Sequence, residues 1–399
     1  MRILIVGGYA HVVGGAQEYL RALIPRIAAD GHSIAYAYGV PIAPDAELVV
    51  SRPDVPMFDA SAQRTQSALR EIDRWRPEVV YANSQNNAAL EDALLDRYPT
   101  AMFAHDYYGT CATGRKRFAF PSIQPCTRKF GPLCLAMHYP RRCGGLSPVS
   151  LAHHYLIQRA RNRNLPRYGA VLVASRHMEA EFVRAGVSSN RVKRIGLPLP
   201  AGVRAATVPP THPIRGRILM LARLVADKGA DYLIRAIPIA QRAAGRRLHL
   251  TIAGDGPERA RVAALAERLD VECRFTGWVD AAARDNLLRE SDLIAIPSLW
   301  PEPYGMTGIE AGAQGVPAVA FDSGGVRDWL IPDSTGVLAD ANPPTAKGFA
   351  AAIARAFGSE DFYAALRRSA WEFSSRFDMD LHWTALGGVL SAVTRDTGR

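Results

Sequence analysis

The sequence predicts an α/β fold of two Rossmann-like, doubly wound domains in series that face a cleft. Apolar strand patterns alternate with helical patterns twice along the 399 residues, and a proline-rich stretch separates the two alternations. A hydrophobic fraction of 48% with 22% charged residues allows sizeable cores and excludes disordered and collagen-like classes. Because no run of 18 apolar residues is present, we expect no membrane-spanning helix.

The first domain is assigned to residues 1–200 and opens with an apolar strand at Arg2–Val6. Gly14-Gly15 then precedes a helical pattern that Pro25 should kink. The N-terminus shows no signal-peptide cleavage pattern, so we expect a cytoplasmic protein. Further strands are expected at Ser33–Tyr38, Val79–Ala82, Ala101–Ala104 and Ala170–Ala174.

A linker is expected at residues 201–216, because five prolines fall between Leu197 and Gly216. The second domain, residues 217–376, repeats the alternation. Its strands are expected at Ile218–Ala222, Leu248–Ala253, Cys273–Phe275, Leu293–Pro297 and Ala318–Phe321, and its helices at Ala230–Ala244, Pro257–Leu269 and Ala281–Glu290. Residues 377–399 form a last helix, and whether it packs back on the first domain stays open.

The positive charge is concentrated in one segment of the first domain, residues 107–178. This segment holds twelve Arg and Lys residues and no Asp or Glu, whereas the formal net charge of the whole chain is +10. The rest of the chain is therefore close to neutral. Such a distribution argues against a general nucleic-acid coat and favours a local basic surface.

Two glutamates stand eight residues apart in a Gly- and Pro-rich block that follows the strand at Leu293–Pro297. The run Gly305-Met-Thr-Gly308 can begin a helix whose free N–H groups face a phosphate. Glu302 precedes this helix and Glu310 lies inside it. One carboxylate can thus reach a sugar and the other a ribose, with a diphosphate between them.

Three further polar side chains follow predicted strands, at the sheet edge where such folds bind ligands. Arg223 and Lys228 come after the first strand of the second domain. Lys228 is one of only five lysines beside 43 arginines, so the use of a compact ammonium at this position is informative. His105 follows the strand at Ala101–Ala104.

Together these motifs resemble the retaining glycosyltransferases of family 4, also called group 1. The resemblance spans nearly the whole chain, and the combination of motifs is specific although each motif alone is weak. A Cys-containing insertion after His105-Asp106 resembles a subtype of that family. The matching motifs are Gly14-Gly15-Ala-Gln-Glu18, Arg223-x4-Lys228, Glu302-x7-Glu310 and Gly324-Gly325.

The resemblance implies a role for each matching residue. Glu302 would contact hydroxyls of the donor sugar, and Glu310 would bind the ribose. His105 would meet the donor sugar and the acceptor, while Arg223 and Lys228 would stabilise the leaving diphosphate. The remaining donor contacts implied are the diphosphate and distal-phosphate residues Gly14, Gly15, Gly305, Met306 and Thr307, and the base-bordering residues Gly277, Trp278 and Val279.

The implied activity is transfer of a hexose-type sugar from a nucleotide-diphosphate sugar to an acceptor hydroxyl, with retention and without a required cofactor or metal. Cell-surface polysaccharide, a lipid-linked saccharide or a related glycoside is the expected product class. Asp378-Met-Asp380 mimics a metal-binding motif of another glycosyltransferase architecture, but it precedes a helical pattern, so we expect a helix cap. The alternatives are a nucleotide-sugar epimerase of similar fold and a non-enzymatic anion- or RNA-binding module.

Four cysteines, Cys111, Cys126, Cys134 and Cys143, fall in the acid-free segment. Four clustered cysteines suit a zinc site, but their spacing contains no Cys-x2-Cys pair. A zinc site, disulfides and reduced thiols therefore all remain as alternatives.

The aromatic residues of the same segment, taken as exposed beside its Arg and Lys residues, would suit contact with an anionic membrane or a lipid-phosphate acceptor. An RNA surface or an ordinary solvated face are the alternatives, and we expect no nucleic-acid partner. The aromatic residues concerned are Tyr107, Tyr108, Phe118, Phe120, Phe130 and Tyr139.

Overall fold

The computed structural model describes residues 1–43, 46–83, 87–200, 203 and 212–396. It divides the chain into two compact units. The first unit comprises Met1–Arg115, Thr127–Ala201 and Phe377–Arg399, and the second comprises Lys116–Cys126 and Gly202–Arg376. Most of the expected linker, including Pro209 and Pro210, lies outside the described residues.

The strands are short and mostly buried. In chain order they are β1 Arg2–Tyr9, β2 Ser33–Val40, β3 Met57–Asp59, β4 Val79–Asn83, β5 Thr100–Ala104, β6 Arg117–Phe118, β7 Gln124–Pro125, β8 Ala170–Val173, β9 Val192–Arg194, β10 Arg217–Leu221, β11 His249–Ala253, β12 Cys273–Gly277, β13 Leu293–Ile296, β14 Ala318–Phe321 and β15 Gly336–Ala339.

The α-helices alternate with these strands. They are α1 Gly15–Ala29, α2 Thr65–Trp75, α3 Ala88–Arg97, α4 Leu133–His138, α5 Pro148–Asn164, α6 Arg176–Ala185, α7 Ala230–Ala244, α8 Arg259–Arg268, α9 Ala281–Glu290, α10 Met306–Ala313, α11 Ala346–Ala356, α12 Glu360–Ser374 and α13 Met379–Asp396. None of the helices in the described part of the chain combines the length and hydropathy needed to cross a bilayer.

The first unit is built on a seven-stranded parallel sheet in the order β3-β2-β1-β4-β5-β8-β9. The expected strands of this unit are confirmed within about three residues at each end. The strands β3 and β9 were not expected, because each has three residues and no long apolar run. Parallel pairing on both sides of β1 is the doubly wound topology that the sequence predicts.

The second unit has its own six-stranded parallel sheet in the order β12-β11-β10-β13-β14-β15. Its core is mainly aliphatic with a few aromatic rings. Strands β10 and β13 pair in parallel, so their carboxyl ends lie at the same edge of the sheet. The predicted fold class is therefore confirmed as α/β with two parallel sheets.

Helix α1 continues through Pro25 to Ala29. Proline inside a helix removes one backbone hydrogen bond and costs about 3 kcal/mol. Here the apolar face of α1, which includes Leu20, Leu23 and Ile27, is fully buried. Tertiary packing therefore maintains the helix where local preference alone would weaken it.

The chain crosses between units at two further places. The small antiparallel pair β6-β7 lies in residues 116–126 and belongs to the second unit, although the surrounding segment 107–178 was assigned to the first domain. Arg117 pairs with Asp227 there, and Ile123 packs against the second core. Helix α13 belongs to the first unit, where it contacts α1. Asp378 caps it, since its Oδ1 accepts from the N–H of Asp380 at 2.8 Å.

Candidate active site

Lys228 and Glu302 form a close ion pair in the second unit. Lys228 Nζ donates to Glu302 Oε1 at 2.6 Å, and the hydroxyl of Ser298 donates to the same oxygen. Glu302 is only 5% exposed, and Lys228 Nζ also lies 5.3 Å from the centroid of the Trp300 ring. The carboxylate is thus held in one place, and two of the sequence-predicted residues meet directly.

The Gly324-Gly325 turn fixes the backbone of Glu302. Gly325 N donates to Glu302 O at 2.7 Å. Gly324 has a φ of 68°, and a Cβ at this position would lie 2.3 Å from Glu302 O. Only glycine fits so close an approach in this conformation, so the turn is part of the site's construction.

Helix α10 begins at Met306, four residues after Glu302. Gly305 precedes the helix with a φ of 99° and has no side chain that could cap it. Trp329 packs across the first turn: its Nε1 donates to Tyr304 O at 2.6 Å. The first N–H groups of the helix, at Met306 and Thr307, point along its axis and create the positive end at which anions bind.

Glu310 lies one turn further along α10 and pairs with a residue that the sequence did not indicate. Arg284 Nη1, from α9, lies 3.4 Å from Glu310 Oε2. Glu310 is 6% exposed. Arg284 Nη2 is buried and finds no hydrogen-bond partner among the described residues. No motif marks Arg284 in the sequence, because it lies in an ordinary amphipathic helix among many other arginines.

Arg223 lies on a loop built by close backbone packing. The residue is exposed and follows β10. A Cβ at Gly254 would lie 2.0 Å from Ala222 O, and one at Gly256 would lie 2.4 Å from Leu224 O. The Gly-x-Gly turn is therefore architectural: it lets the β11 loop press against the loop that carries Arg223.

The segment expected to border a nucleotide base adjoins the same turn. Gly277 O accepts from Gly254 N at 2.7 Å. Trp278 is 79% exposed, whereas Val279 is half-buried. Gly277 therefore joins the loops after β11 and β12, and the indole of Trp278 faces mostly solvent.

Arg117 supports the turn that carries Lys228. Its Nε donates to Asp227 Oδ1 at 2.9 Å, and its Nη2 contacts the same oxygen. Arg117 is 7% exposed. Asp227 O in turn accepts from Leu299 N at 2.8 Å, next to Ser298. The sequence placed Arg117 only in a general basic segment, so this role was missed.

His105 lies in the first unit, at the carboxyl end of β5. Its Nε2 lies 2.9 Å from Asn83 Oδ1, and its ring stacks on Phe103 with centroids 4.7 Å apart. Burial, with the nearby His382, lowers the pKa of His105 to about 3. A neutral ring that donates Nε2–H to Asn83 leaves Nδ1 as a hydrogen-bond acceptor.

A buried network connects this histidine with α1. The Tyr19 hydroxyl lies 2.7 Å from that of Tyr81 and 2.8 Å from His382 Nε2. The Tyr19 ring lies 5.3 Å from His105. Burial raises the pKa of Tyr19 and lowers the pKa of His382 to about 4, so the cluster is uncharged at neutral pH. Gly14 and Gly15 are exposed at the start of the same helix.

The structure corrects the expectation that the aromatic residues of segment 107–178 are exposed. Phe120 and Tyr139 are exposed, but Tyr107, Tyr108, Phe118 and Phe130 are buried. These four rings pack inside their units; for example, the Tyr108 hydroxyl donates to buried Glu91 at 2.7 Å.

The cysteines of the same segment are all half-buried, and so is Cys273. The structure contains no disulfide among these five cysteines. No group of three or more His, Cys, Asp or Glu side chains placed to hold a metal ion occurs in the described ranges.

Comparisons with known proteins place this site in a family context. Residues 213–372 match the family model described as "Glycosyl transferases group 1". A glycogen synthase from Mycobacterium tuberculosis (strain CDC 1551 / Oshkosh) is 26% identical, and the alignment covers 98% of this chain and 94% of the relative. The family match includes Arg223, Lys228, Glu302 and Glu310, but not Arg117.

Solved structures resemble nearly the whole chain. A sucrose-phosphate synthase from Thermosynechococcus elongatus has a TM-score of 0.74 at 17% identity, with 99% of each chain covered. The Anabaena HepE protein in complex with UDP and glucose has a TM-score of 0.69 at 18% identity, covering 98% of this chain and 100% of the other. These likenesses show the GT-B fold of two Rossmann-like domains.

Proposed function

We propose that this protein is a retaining glycosyltransferase that moves a hexose-type sugar from a nucleotide-diphosphate sugar to an acceptor hydroxyl. One observation carries the proposal: the Lys228–Glu302 ion pair stands beside the uncapped N-terminus of α10. A fixed carboxylate, a cation and free backbone N–H groups suit sugar hydroxyls next to a diphosphate. The group 1 family match over the same residues supports the same reading.

The donor would lie along α10 and the loops before it. Glu302 can accept hydrogen bonds from sugar hydroxyls, while its position is maintained by Ser298 and the Gly324 turn. The N–H groups of Met306 and Thr307 would bind the distal phosphate. Glu310, oriented by Arg284, would accept from the ribose hydroxyls.

In the transfer step, the bond between the anomeric carbon and the phosphate oxygen breaks as the acceptor oxygen attacks from the same face. The acceptor's proton passes to the departing phosphate oxygen, so that atoms and charge balance. Arg223 and Lys228 would stabilise the negative charge that grows on the diphosphate, which is the task a metal performs in other transferases. We therefore propose a metal-independent reaction.

His105 would act as a neutral hydrogen-bond acceptor rather than as an acid or base. Its Nε2–H is used by Asn83, and its pKa of about 3 excludes protonation at neutral pH. Nδ1 would then accept from a hydroxyl of the sugar or the acceptor and orient it. Gly14 and Gly15, at the start of α1, would approach the diphosphate without side-chain obstruction.

The proposed setting is the cytoplasm, with a cell-surface polysaccharide, a lipid-linked saccharide or a related glycoside as product. Neither the base nor the sugar is assigned. The neighbour's UDP complex makes UDP-sugars the first donors to try.

The experiment is incubation of the purified protein with UDP-, GDP- and ADP-sugars, while release of nucleoside diphosphate is measured. Slow hydrolysis of one donor, accelerated by an acceptor, is expected. Proton NMR of the anomeric signal of the product should show the donor's configuration, and EDTA should leave the rate unchanged. A product with the inverted anomeric configuration would overturn the retaining part of the proposal. Loss of activity with EDTA would overturn the metal-independent part.

Conversion of one nucleotide sugar into another, without release of diphosphate, would instead identify an epimerase. No turnover and no binding of any donor, from a protein whose circular dichroism shows it folded, would contradict the proposal as a whole.

The same assay applies to a variant of the proposed sugar-binding carboxylate, Glu302→Gln. Its matched control is Glu372→Gln, which changes an exposed glutamate on α12.

A further inference from the structure

Exposed apolar side chains are concentrated in one short stretch of the first unit. Among the described residues, thirteen large hydrophobic residues are exposed, and six of them fall between residues 133 and 156. Scattered single residues of this kind are normal on protein surfaces, whereas a concentration marks an interaction site. The six are Leu133 51%, Leu135 38%, Tyr139 44%, Leu146 84%, Val149 77% and Leu156 60% exposed.

These side chains lie on an ordered surface rather than on a loose loop. Leu135 and Tyr139 are one turn apart at α4, and the Tyr139 hydroxyl donates to Leu146 O at 3.3 Å. His138 Nε2 lies 2.7 Å from Gly145 O, which folds the loop back onto the helix. The apolar residues of α4 and of the loop are thereby brought together.

Helix α5 continues the surface on one face. Val149 and Leu156 are seven residues apart, two helical turns, so they share a face that is exposed. The opposite face is buried, since Tyr155 packs with Phe130 and Ala112 in a small core. Exposure of Val149 and Leu156 is therefore a property of a firmly packed helix.

The surroundings of this apolar surface are basic. Arg128, Lys129, Arg142 and Arg159 are exposed, and residues 107–178 contain no Asp or Glu. At the other end of α5, Arg163 and Arg167 pair with Asp92. The segment itself thus contributes charged side chains of positive sign only to this surface.

We propose that the α4–α5 surface, defined by these six apolar residues and their basic neighbours, docks on an anionic phospholipid bilayer. Apolar side chains would enter the boundary between headgroups and acyl chains, while Arg and Lys meet lipid phosphates. Charge complementarity selects this occupant over a second copy of the same basic surface, which would repel itself. The inference goes beyond the proposed transferase chemistry and does not depend on it.

The test is co-sedimentation of the purified protein with vesicles of phosphatidylcholine alone and with 30% phosphatidylglycerol added, at low and high salt. Binding is expected only to the anionic vesicles and should weaken with salt. Arg159→Gln with Lys129→Gln should weaken it about 25-fold, since each cation near the surface contributes about fivefold. Leu146→Asp with Val149→Asp should weaken it at least about tenfold.

Leu381→Asp is the matched control, because Leu381 is 61% exposed on α13 of the same unit. It should bind vesicles like the unchanged protein, and circular dichroism should show that all variants are folded. Equal binding to neutral vesicles, or unchanged binding of the Leu146 and Val149 variant, would overturn the proposal. So would a dimer in sedimentation equilibrium that Leu146→Asp dissociates, because the occupant would then be a second copy.

Discussion

The candidate site of the second unit and the His105 cluster of the first unit lie at similar places in similar sheets, yet they are built from opposite chemistry. The second unit presents charges: Lys228 against Glu302, and Arg284 against Glu310. The first unit presents neutral groups, in which His105 and His382 are held uncharged by burial.

This difference indicates a division of tasks. In the proposed function, a charged diphosphate would need fixed countercharges and backbone N–H groups of the kind present in the second unit. A hydroxyl to be oriented would need a fixed acceptor whose protonation does not change, such as a histidine with a pKa of about 3. Substitutions in the second unit should therefore alter turnover of the donor. Substitutions in the first unit should alter the orientation of the bound hydroxyl and the stability of the protein at acidic pH.

The largest effect is expected at the charged site. Glu302→Gln and Lys228→Ala should each lower kcat for donor turnover by about 10² to 10³, because each removes a preorganised polar partner of the reacting sugar-diphosphate. Steady-state release of nucleoside diphosphate measures this. An unchanged kcat in both variants would remove the ion pair from the mechanism.

The second effect is steric. A Cβ at Gly308 would lie 2.1 Å from the ring of Trp329. This ring is held in place by the hydrogen bond that its Nε1 donates to Tyr304 O. Gly308→Ala should destabilise the protein by about 1–3 kcal/mol through overpacking. Gly388→Ala, where a Cβ meets open space, is the control. Equal thermal midpoints of the two variants would contradict the packing described here.

The third effect tests Arg117 as a positioning residue. Arg117→Ala should lower kcat about tenfold, because a hydrogen-bonded charge pair of this kind contributes about 1.5 kcal/mol, while the affinity for free nucleoside diphosphate changes little. Arg117→Lys should restore part of the loss, and Asp227→Asn should not add to it. Arg115→Ala, two residues away, is the control. Equal losses from Arg115→Ala would show a general effect of basic charge instead.

The smallest effect concerns acid stability in the first unit. The pKa of His382 is about 4 in the folded protein against an ordinary 6.5, so the unfolded chain binds a proton that the folded chain does not between these values. The contribution of neutral His382 to the free energy of unfolding should therefore be fully present above pH 6.5 and should be lost as the pH drops towards 4. His382→Gln should reduce this fall by about 1–2 kcal/mol at pH 5.

Thermal midpoints at pH 7.5 and pH 5 measure that difference, with exposed His154→Gln as the control. An identical acid shift in the His382 variant and the unchanged protein would contradict a neutral, buried His382.

Much of the fold was readable from the sequence because strands of parallel sheets are continuous apolar runs. Helices α7 and α9 and strand β14 begin and end at the expected residues. Strands of three residues, such as β3, carry too few apolar positions to be noticed. The course of α1 through Pro25 depends on tertiary packing, which local preference does not contain.

The residues of the candidate site also divide into those that the sequence predicted and those that it did not. Glu302, Gly305 and Lys228 were predictable because their spacing forms a motif, and the structure brings Lys228 and Glu302 into contact. Arg117 and Arg284 were not, because their partners are 110 and 26 residues away in the chain. A chain with 43 arginines gives no signal that distinguishes these two.

The most direct test of the central claim compares binding of the nucleotide sugar and of its nucleoside diphosphate by isothermal titration. Glu310→Gln should weaken both ligands equally, because both contain the ribose. Glu302→Gln should weaken only the intact nucleotide sugar. If the unchanged protein binds neither ligand, or if Glu302→Gln weakens the nucleoside diphosphate as much as the nucleotide sugar, the assignment of the second unit as the donor site is contradicted.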